Sequence, residues 1–211
     1  MNVHCLPAGP ISTNAYLLTE PSLGQAVLID APLGILAEAG PILKREGCRL
    51  VELWLTHGHW DHTQGAAEVV RVTGVPVSGH RADQPLYETP EVMRPILGPG
   101  IVVEPVKVDR WLEDGAQIGA LGETVRVSHV PGHCRGSLMF YFPVLGAAFC
   151  GDALFKGSVG RTDLPGADFG VLEASIRTRI YTLPDATTVY SGHGEPTSVG
   201  EEKAENPYVR A

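Results

Sequence analysis

The chain contains no Cys-x-x-Cys pair. Cys5, Cys48, Cys134 and Cys150 are scattered, which reads as reduced thiols rather than a disulfide framework. No stretch approaches the ~20 apolar residues that a membrane span requires, so no membrane role is expected. Clustered Lys and Arg are also missing, and the formal net charge is −8. A nucleic-acid surface is therefore not expected, while an anionic small molecule remains acceptable. The segment Met1–Pro7 has neither a basic leader nor an apolar export core, so a cytoplasmic location is expected. There is no internal repeat, low-complexity tract or separating linker, and 211 residues with 44% apolar and 19% charged side chains fit one globular domain spanning 1–211.

Alternating apolar runs and turns predict strands at Asn14–Leu18, Ala26–Ile29 and Leu50–Leu55, with a helix from Leu33 to about Arg45 that Pro41 should kink or split. Gly65–Thr73 reads as a helix and Val75–Val77 as a short strand. The proline-interrupted stretch Arg81–Gly100 predicts short helical turns and loop. Further strands are expected at Glu123–Val130, Ser137–Phe142, Ala147–Cys150 and Thr187–Tyr190. Phe169, Leu172, Ile176, Ile180 and Leu183 fall at helical spacing, which predicts a core-facing helix ending before Pro184, and Glu201–Glu205 a last short one.

What is present in excess is histidine of one kind of spacing. Thr56-His57-Gly58-His59-Trp60-Asp61-His62 places three imidazoles and a carboxylate in seven residues, directly after the apolar run Val51–Leu55. A single histidine is usually a surface or hydrogen-bonded core residue. Four ligand-type side chains this close together point instead to a metal site, and the nitrogen and oxygen donors suit zinc, iron or manganese. His57 and His59, two apart on extended backbone, project to the same side. Asp61 and His62 lie one turn further on, within reach of a second ion.

Three later loops each deliver one more ligand-type residue where a strand ends: His133, Asp152 and His193. Each follows a glycine, which frees the backbone to turn sharply and present the side chain into a shared cleft. Cys134 and Cys150 beside them read as small buried hydrophobes. His4 and His80 read as structural. His129 is either a hydrogen-bond partner of the His133 loop or a satisfied strand histidine, and Trp60 either walls the cleft or packs beneath it.

The pattern His-x-His-x-Asp-His followed by a distant His, an Asp and a final His resembles the metallo-β-lactamase superfamily, and the match runs over nearly the whole chain. The resemblance implies an α/β fold, a four-layer αββα sandwich, with a dinuclear centre at one edge of the two sheets. It also implies that His57, His59 and His133 bind one divalent metal ion, that Asp61, His62 and His193 bind a second, and that Asp152 bridges them, with zinc the first candidate and iron or manganese next. The stretch Gly151–Asp163 is similar to glyoxalase II-like hydrolases and to persulfide dioxygenases, and the ending Gly192–Pro207 is similar to compact glyoxalase II-like proteins without the C-terminal helical domain. Arg161 matches by position a basic residue that holds the thiol carrier in the longer enzymes; a salt-bridged loop arginine is the other reading.

Two divalent ions ~3.5–4 Å apart can lower the pKa of a shared water and polarise a carbonyl. Together with the resemblance to glyoxalase II-like hydrolases, this implies a metal-dependent thioester hydrolase acting on a small-molecule substrate, with S-D-lactoylglutathione or a related acyl thioester the candidate that the resemblance alone suggests. Asp61 orients the attacking hydroxide and accepts its proton. An iron-dependent oxygenase using only His57, His133 and Asp152 is the rival. A non-catalytic metal-binding protein is the third reading, disfavoured because no ligand position is lost.

Overall fold

In the computed structural model, which describes residues 1–210, the strands form two six-stranded sheets and one small hairpin. The first sheet has the order β1 (Asn2–Ala8), β2 (Thr13–Glu20), β3 (Gln25–Ile29), β4 (Arg49–Trp54), β5 (Val77–Gly79) and β6 (Arg110–Trp111). Its first three strands form an antiparallel meander, and β3 to β6 run parallel. Parallel neighbours need crossovers: α1 (Ile35–Glu46) connects β3 to β4, and α2 (Trp60–Thr63) with α3 (Ala66–Thr73) connects β4 to β5.

The second sheet is built from β7 (Gln117–Ala120), β8 (Glu123–His129), β9 (Leu138–Phe142), β10 (Ala147–Gly151), β13 (Thr188–Ser191) and β14 (Thr197–Ser198), in the spatial order β14-β13-β10-β9-β8-β7. All pairings are antiparallel except β10 with β13. The hairpin β11 (Leu154–Phe155) and β12 (Ser158–Val159) follows β10, and the helices α5 (Phe169–Ser175) and α6 (Val199–Glu205) belong to this half.

Successive residues of a strand face opposite sides, and here both sides are covered. Leu17, Leu28 and Leu53 pack outward on Ile35, Ala39 and Val69 of the helices. Their neighbours Leu18, Val27, Ile29 and Trp54 point inward against Val125, Val127, Phe140 and Phe149 of the second sheet. The Trp54 and Phe140 rings meet at 5.0 Å between centroids. Met139, Tyr141, Ala148 and Cys150 face away from that interface onto Leu172, Ile176, Ile180 and Val199. Three apolar interfaces between four layers are the αββα sandwich.

Several local expectations change. α1 runs through Pro41 without a break from Ile35 to Glu46, because the proline ring faces solvent and costs one hydrogen bond rather than a turn. The strand expected at Val75–Val77 lies two residues on, at Val77–Gly79. The helix expected to reach Leu183 is α-helical only to Ser175 and continues as a π-turn over Ile176–Ile180. Phe169, expected in its core stripe, is exposed, while Leu172, Ile176 and Ile180 are buried. Arg81–Gly100 forms short helical turns: a 3-10 turn at Arg81–Asp83, α4 (Gln84–Glu88), and a 3-10 run at Pro90–Ile96.

Candidate metal centre

The parallel pairings bring the ligand loops together. β10 and β13 end side by side, with Gly151 paired to Ser191 and the Gly192 N–H donating to the Gly151 carbonyl at 2.9 Å, so Asp152 and His193 emerge from adjacent strand ends. β3 and β4 likewise end in register at Ile29 and Trp54, which sets Asp30 beside the Thr56–His62 loop. The two sheets are joined at this edge by the Leu138 N–H to the Thr56 carbonyl at 2.7 Å, and by the Asn14 N–H to the Gly192 carbonyl at 2.7 Å.

His57, His59 and His133 present ligand atoms within 4.8 Å of one another, as do Asp61, His62 and His193, and a third grouping joins His57, His62 and Asp152. Asp152 lies between the two triads: its Oδ1 is 3.2 Å from His62 Nε2, and its Oδ2 is 3.6 Å from both His133 Nε2 and His193 Nε2. His59 differs in turning Nδ1 inward, 2.9 Å from His133 Nε2. All seven residues expected as ligands are thus gathered at one edge of the sandwich, and all but His193 are buried.

The outward nitrogens are fixed by the protein. His62 Nδ1 donates to Asp30 Oδ2 at 2.7 Å, His57 Nδ1 lies 3.1 Å from Thr56 Oγ1, and His133 Nδ1 donates to the Arg161 carbonyl at 2.8 Å. In the neutral ring such partners set the tautomer, which leaves the lone pair of the other nitrogen for the cleft. Asp30 also accepts from the Thr56 N–H and hydroxyl, both at 2.7 Å, from a backbone with φ of 62°. Thr13 donates to Asp61 Oδ2 at 2.7 Å. Neither Asp30 nor Thr13 has a spacing that marks it in the sequence.

The buried atoms His57 Nε2, His62 Nε2 and Asp152 Oδ1 have no hydrogen-bond partner; the 3.2 Å approach of the last two lacks hydrogen-bond geometry. Leaving polar atoms unpaired in the interior is costly. A divalent cation satisfies such a set, and imidazole with carboxylate is a donor set that zinc, iron and manganese all accept. Burial, reinforced by the neighbouring imidazoles, holds His57 well below the usual histidine range, and burial with His133 lowers His59 to about 3. Both therefore stay neutral with their lone pairs available. For His62 burial works against charge, but the carboxylates of Asp61, Asp30 and Asp152 outweigh it and raise its pKa. Burial likewise opposes ionisation of Asp61 and Asp152, and the surrounding imidazoles overcome it, so both carboxyls are held below the usual range.

Gly192 is required for space rather than for its torsion, since a Cβ there would stand 2.1 Å from Asp152 Oδ1 and 2.5 Å from His62 Cε1. Gly151, with φ of 52°, supplies the turn that was expected.

A sequence profile described as the metallo-beta-lactamase superfamily matches residues 8–193. The chain belongs to that superfamily. Among its relatives in the superfamily is the hydroxyacylglutathione hydrolase GloC of Haemophilus influenzae, 32% identical over 100% of this chain and 99% of that protein. BLEG-1, a B3 metallo-beta-lactamase, superposes with a TM-score of 0.92 at 34% identity over the whole of both chains. TTHA1623, solved in a di-iron-bound form, gives a TM-score of 0.86 at 39% identity over 98% of this chain and 100% of its own. No described helix is long and apolar enough to cross a membrane.

Within this superfamily fold the remaining candidates are placed as follows. The Arg161 guanidinium is exposed and makes two 2.7 Å bonds to Asp163, so it is the main chain of residue 161 that touches the metal-ligand shell. Trp60 is half-buried at the start of α2, outside the apolar clusters. His129 bonds through Nε2 to the Arg135 carbonyl at 2.8 Å and stacks on His80 at 4.1 Å, so it braces the His133 loop from outside. Cys134 and Cys150 are buried, and burial pushes both thiols up, the latter to about 12. Asp83, which has no motif around it, ties the two histidine loops together: it accepts from the Gly58 N–H at 2.9 Å, the Gly136 N–H at 2.7 Å and the Cys134 thiol at 3.1 Å.

Proposed function

We propose that the protein is a dinuclear metal-dependent thioester hydrolase, similar in activity to glyoxalase II, which cleaves S-D-lactoylglutathione or a related acyl thioester to a hydroxy acid and a free thiol. The observation that carries the reading is the convergence of two complete ligand triads on the shared carboxylate of Asp152. A mononuclear iron oxygenase would use only His57, His133 and Asp152 of this cluster, and metal content separates it from the hydrolase. The hydroxyacylglutathione hydrolase among the relatives supports the same reading.

When bound, divalent cations at these residues would supply Lewis acidity, lowering the pKa of water and polarising the scissile carbonyl. The chain's own contribution is placement. Thr13 fixes Asp61 Oδ2, and the low pKa of Asp61 keeps it a carboxylate, able to accept a hydrogen bond from the attacking water and so orient it. The water oxygen bonds to the acyl carbon, the C–S bond breaks, and the proton passes to the departing thiolate. His193, the most exposed of the seven, lies where the cleft opens to solvent.

The test is thiol release from S-D-lactoylglutathione by metal-loaded protein. Hydrolysis without oxygen consumption, abolished by a chelator, restored by added metal and reduced on the order of 100-fold or more in Asp61→Asn, is expected. Turnover no faster than that of an Asp61→Asn, His59→Ala double variant, or oxygen uptake with one iron per chain, would contradict the reading.

A further inference from the structure

Beside the metal cage the fold builds a second feature. The short helices after β5 and the turn at Leu164–Gly166 enclose a cavity of about 290 Å³ that opens next to His59. Its walls are Leu86, Val92, Met93, Ile96, Leu164 and Pro165. Val92 stands 50% exposed, although an apolar side chain gains nothing from facing water. The polar groups at its floor are already spoken for, since Asp83 accepts from three protein donors. Arg135, the one arginine lining the cavity, is exposed and leaves its guanidinium toward solvent.

Around His193, which does not line this cavity, the site has another character. There His193 is 29% exposed beside Phe155, and the neighbouring Lys156 pairs with Glu195 in solvent at 3.2 Å. The two halves of a thioester differ in the same way. A peptidic or nucleotide thiol carrier is charged and hydrogen-bonds water along its length, and walls of Leu, Val, Met and Ile would strip those groups without replacing their partners. A hydrocarbon acyl chain loses nothing by entering.

We infer that this cavity is the acyl site, so that the protein acts on thioesters of short-to-medium apolar acyl chains, with the thiol carrier lying on the open side by His193. The inference rests on the thioesterase reading and narrows it, because a lactoyl group is small and carries a hydroxyl for which the apolar wall has no partner. Leu86, Val92, Met93 and Ile96 are then the specificity-determining residues.

Metal-loaded protein is assayed with acetyl, butanoyl, hexanoyl and octanoyl thioesters of one thiol, N-acetylcysteamine, and with acetyl thioesters of several thiols. The expected result is a kcat/KM that rises about fourfold per added methylene until the cavity is full, with little change along the thiol series. Val92→Trp, which fills the cavity, should lower the hexanoyl-to-acetyl ratio at least tenfold while elemental analysis finds the parent's metal content. Calorimetry with the matching carboxylates should give a Kd that tightens along the same series with a negative heat-capacity change. Fast hydrolysis with no acyl-chain dependence, or with the dependence on the thiol side, overturns the acyl site and leaves the thioesterase reading standing. If no thioester is cleaved, that reading fails, and the carboxylates decide the cavity: equal affinities overturn it, and progressive tightening supports a hydrocarbon site.

Discussion

Asp30 is one of three non-glycine residues among those described with a left-handed backbone, at φ of 62°, a conformation that costs most side chains energy and that Asp tolerates better than most. The strain is offset by three bonds, to His62 Nδ1 and to the Thr56 N–H and hydroxyl, which lock the entry to the histidine loop. Asp30→Asn, which keeps the shape but not the charge, should weaken metal affinity about 10- to 100-fold in a chelator competition while leaving the fold intact. Unchanged affinity would mean that His62 does not depend on Asp30. The candidate ligands were legible because chemistry selects their types and spacing: three histidines and an acid in seven residues have few other uses. Asp30, Thr13 and Asp83 were not, because an acid or hydroxyl at the end of a strand or in a turn looks the same whether it meets solvent or braces a ligand loop, and only tertiary pairing decides. Arg161 shows the converse. Its position was readable, but its partner Asp163, two residues on, takes the guanidinium and leaves the main-chain carbonyl facing His133.

Elements were readable where an apolar run was bounded by turns, and less so where both faces are covered. β2, β9 and β10 are buried almost throughout, so they show no alternation, yet their length and flanking glycines located them. β1 escaped notice because an edge strand carrying Pro7 and polar residues lacks a pattern of its own and is defined by pairing with β2. The π-turn after α5 has a similar origin: Leu172, Ile176 and Ile180 keep their buried register against the second sheet, while the backbone between them widens. Pro41 offers a direct test at this scale. Its ring interrupts the hydrogen bonding of α1 on an exposed face, so Pro41→Ala should stabilise the protein by about 1–3 kcal/mol, seen as a raised unfolding midpoint. A lowered midpoint would show that the ring packs or that its constraint on the unfolded chain dominates.

At the scale of the whole molecule, the sandwich holds the site by letting strands from both sheets end at one edge. The parallel pairs β3–β4 and β10–β13 direct Asp30, the His57–His62 loop, Asp152 and His193 to the same place, and the β8–β9 connection adds His133. The four-layer architecture was legible through family resemblance, since the histidine pattern spans nearly the whole chain and its order matches. The apolar cavity next to the site was not, because Arg81–Gly100 has weak periodicity and its prolines predict only that regular structure stops. It is the packing of that segment against Leu164–Gly166 that makes a wall. The central claim, a cage for a pair of cations, is tested most directly by metal stoichiometry from elemental analysis of the purified protein and its His193→Ala variant. Two divalent ions per chain, falling to about one in the variant, are predicted; a single ion in the parent, retained when His193 is removed, would contradict the account.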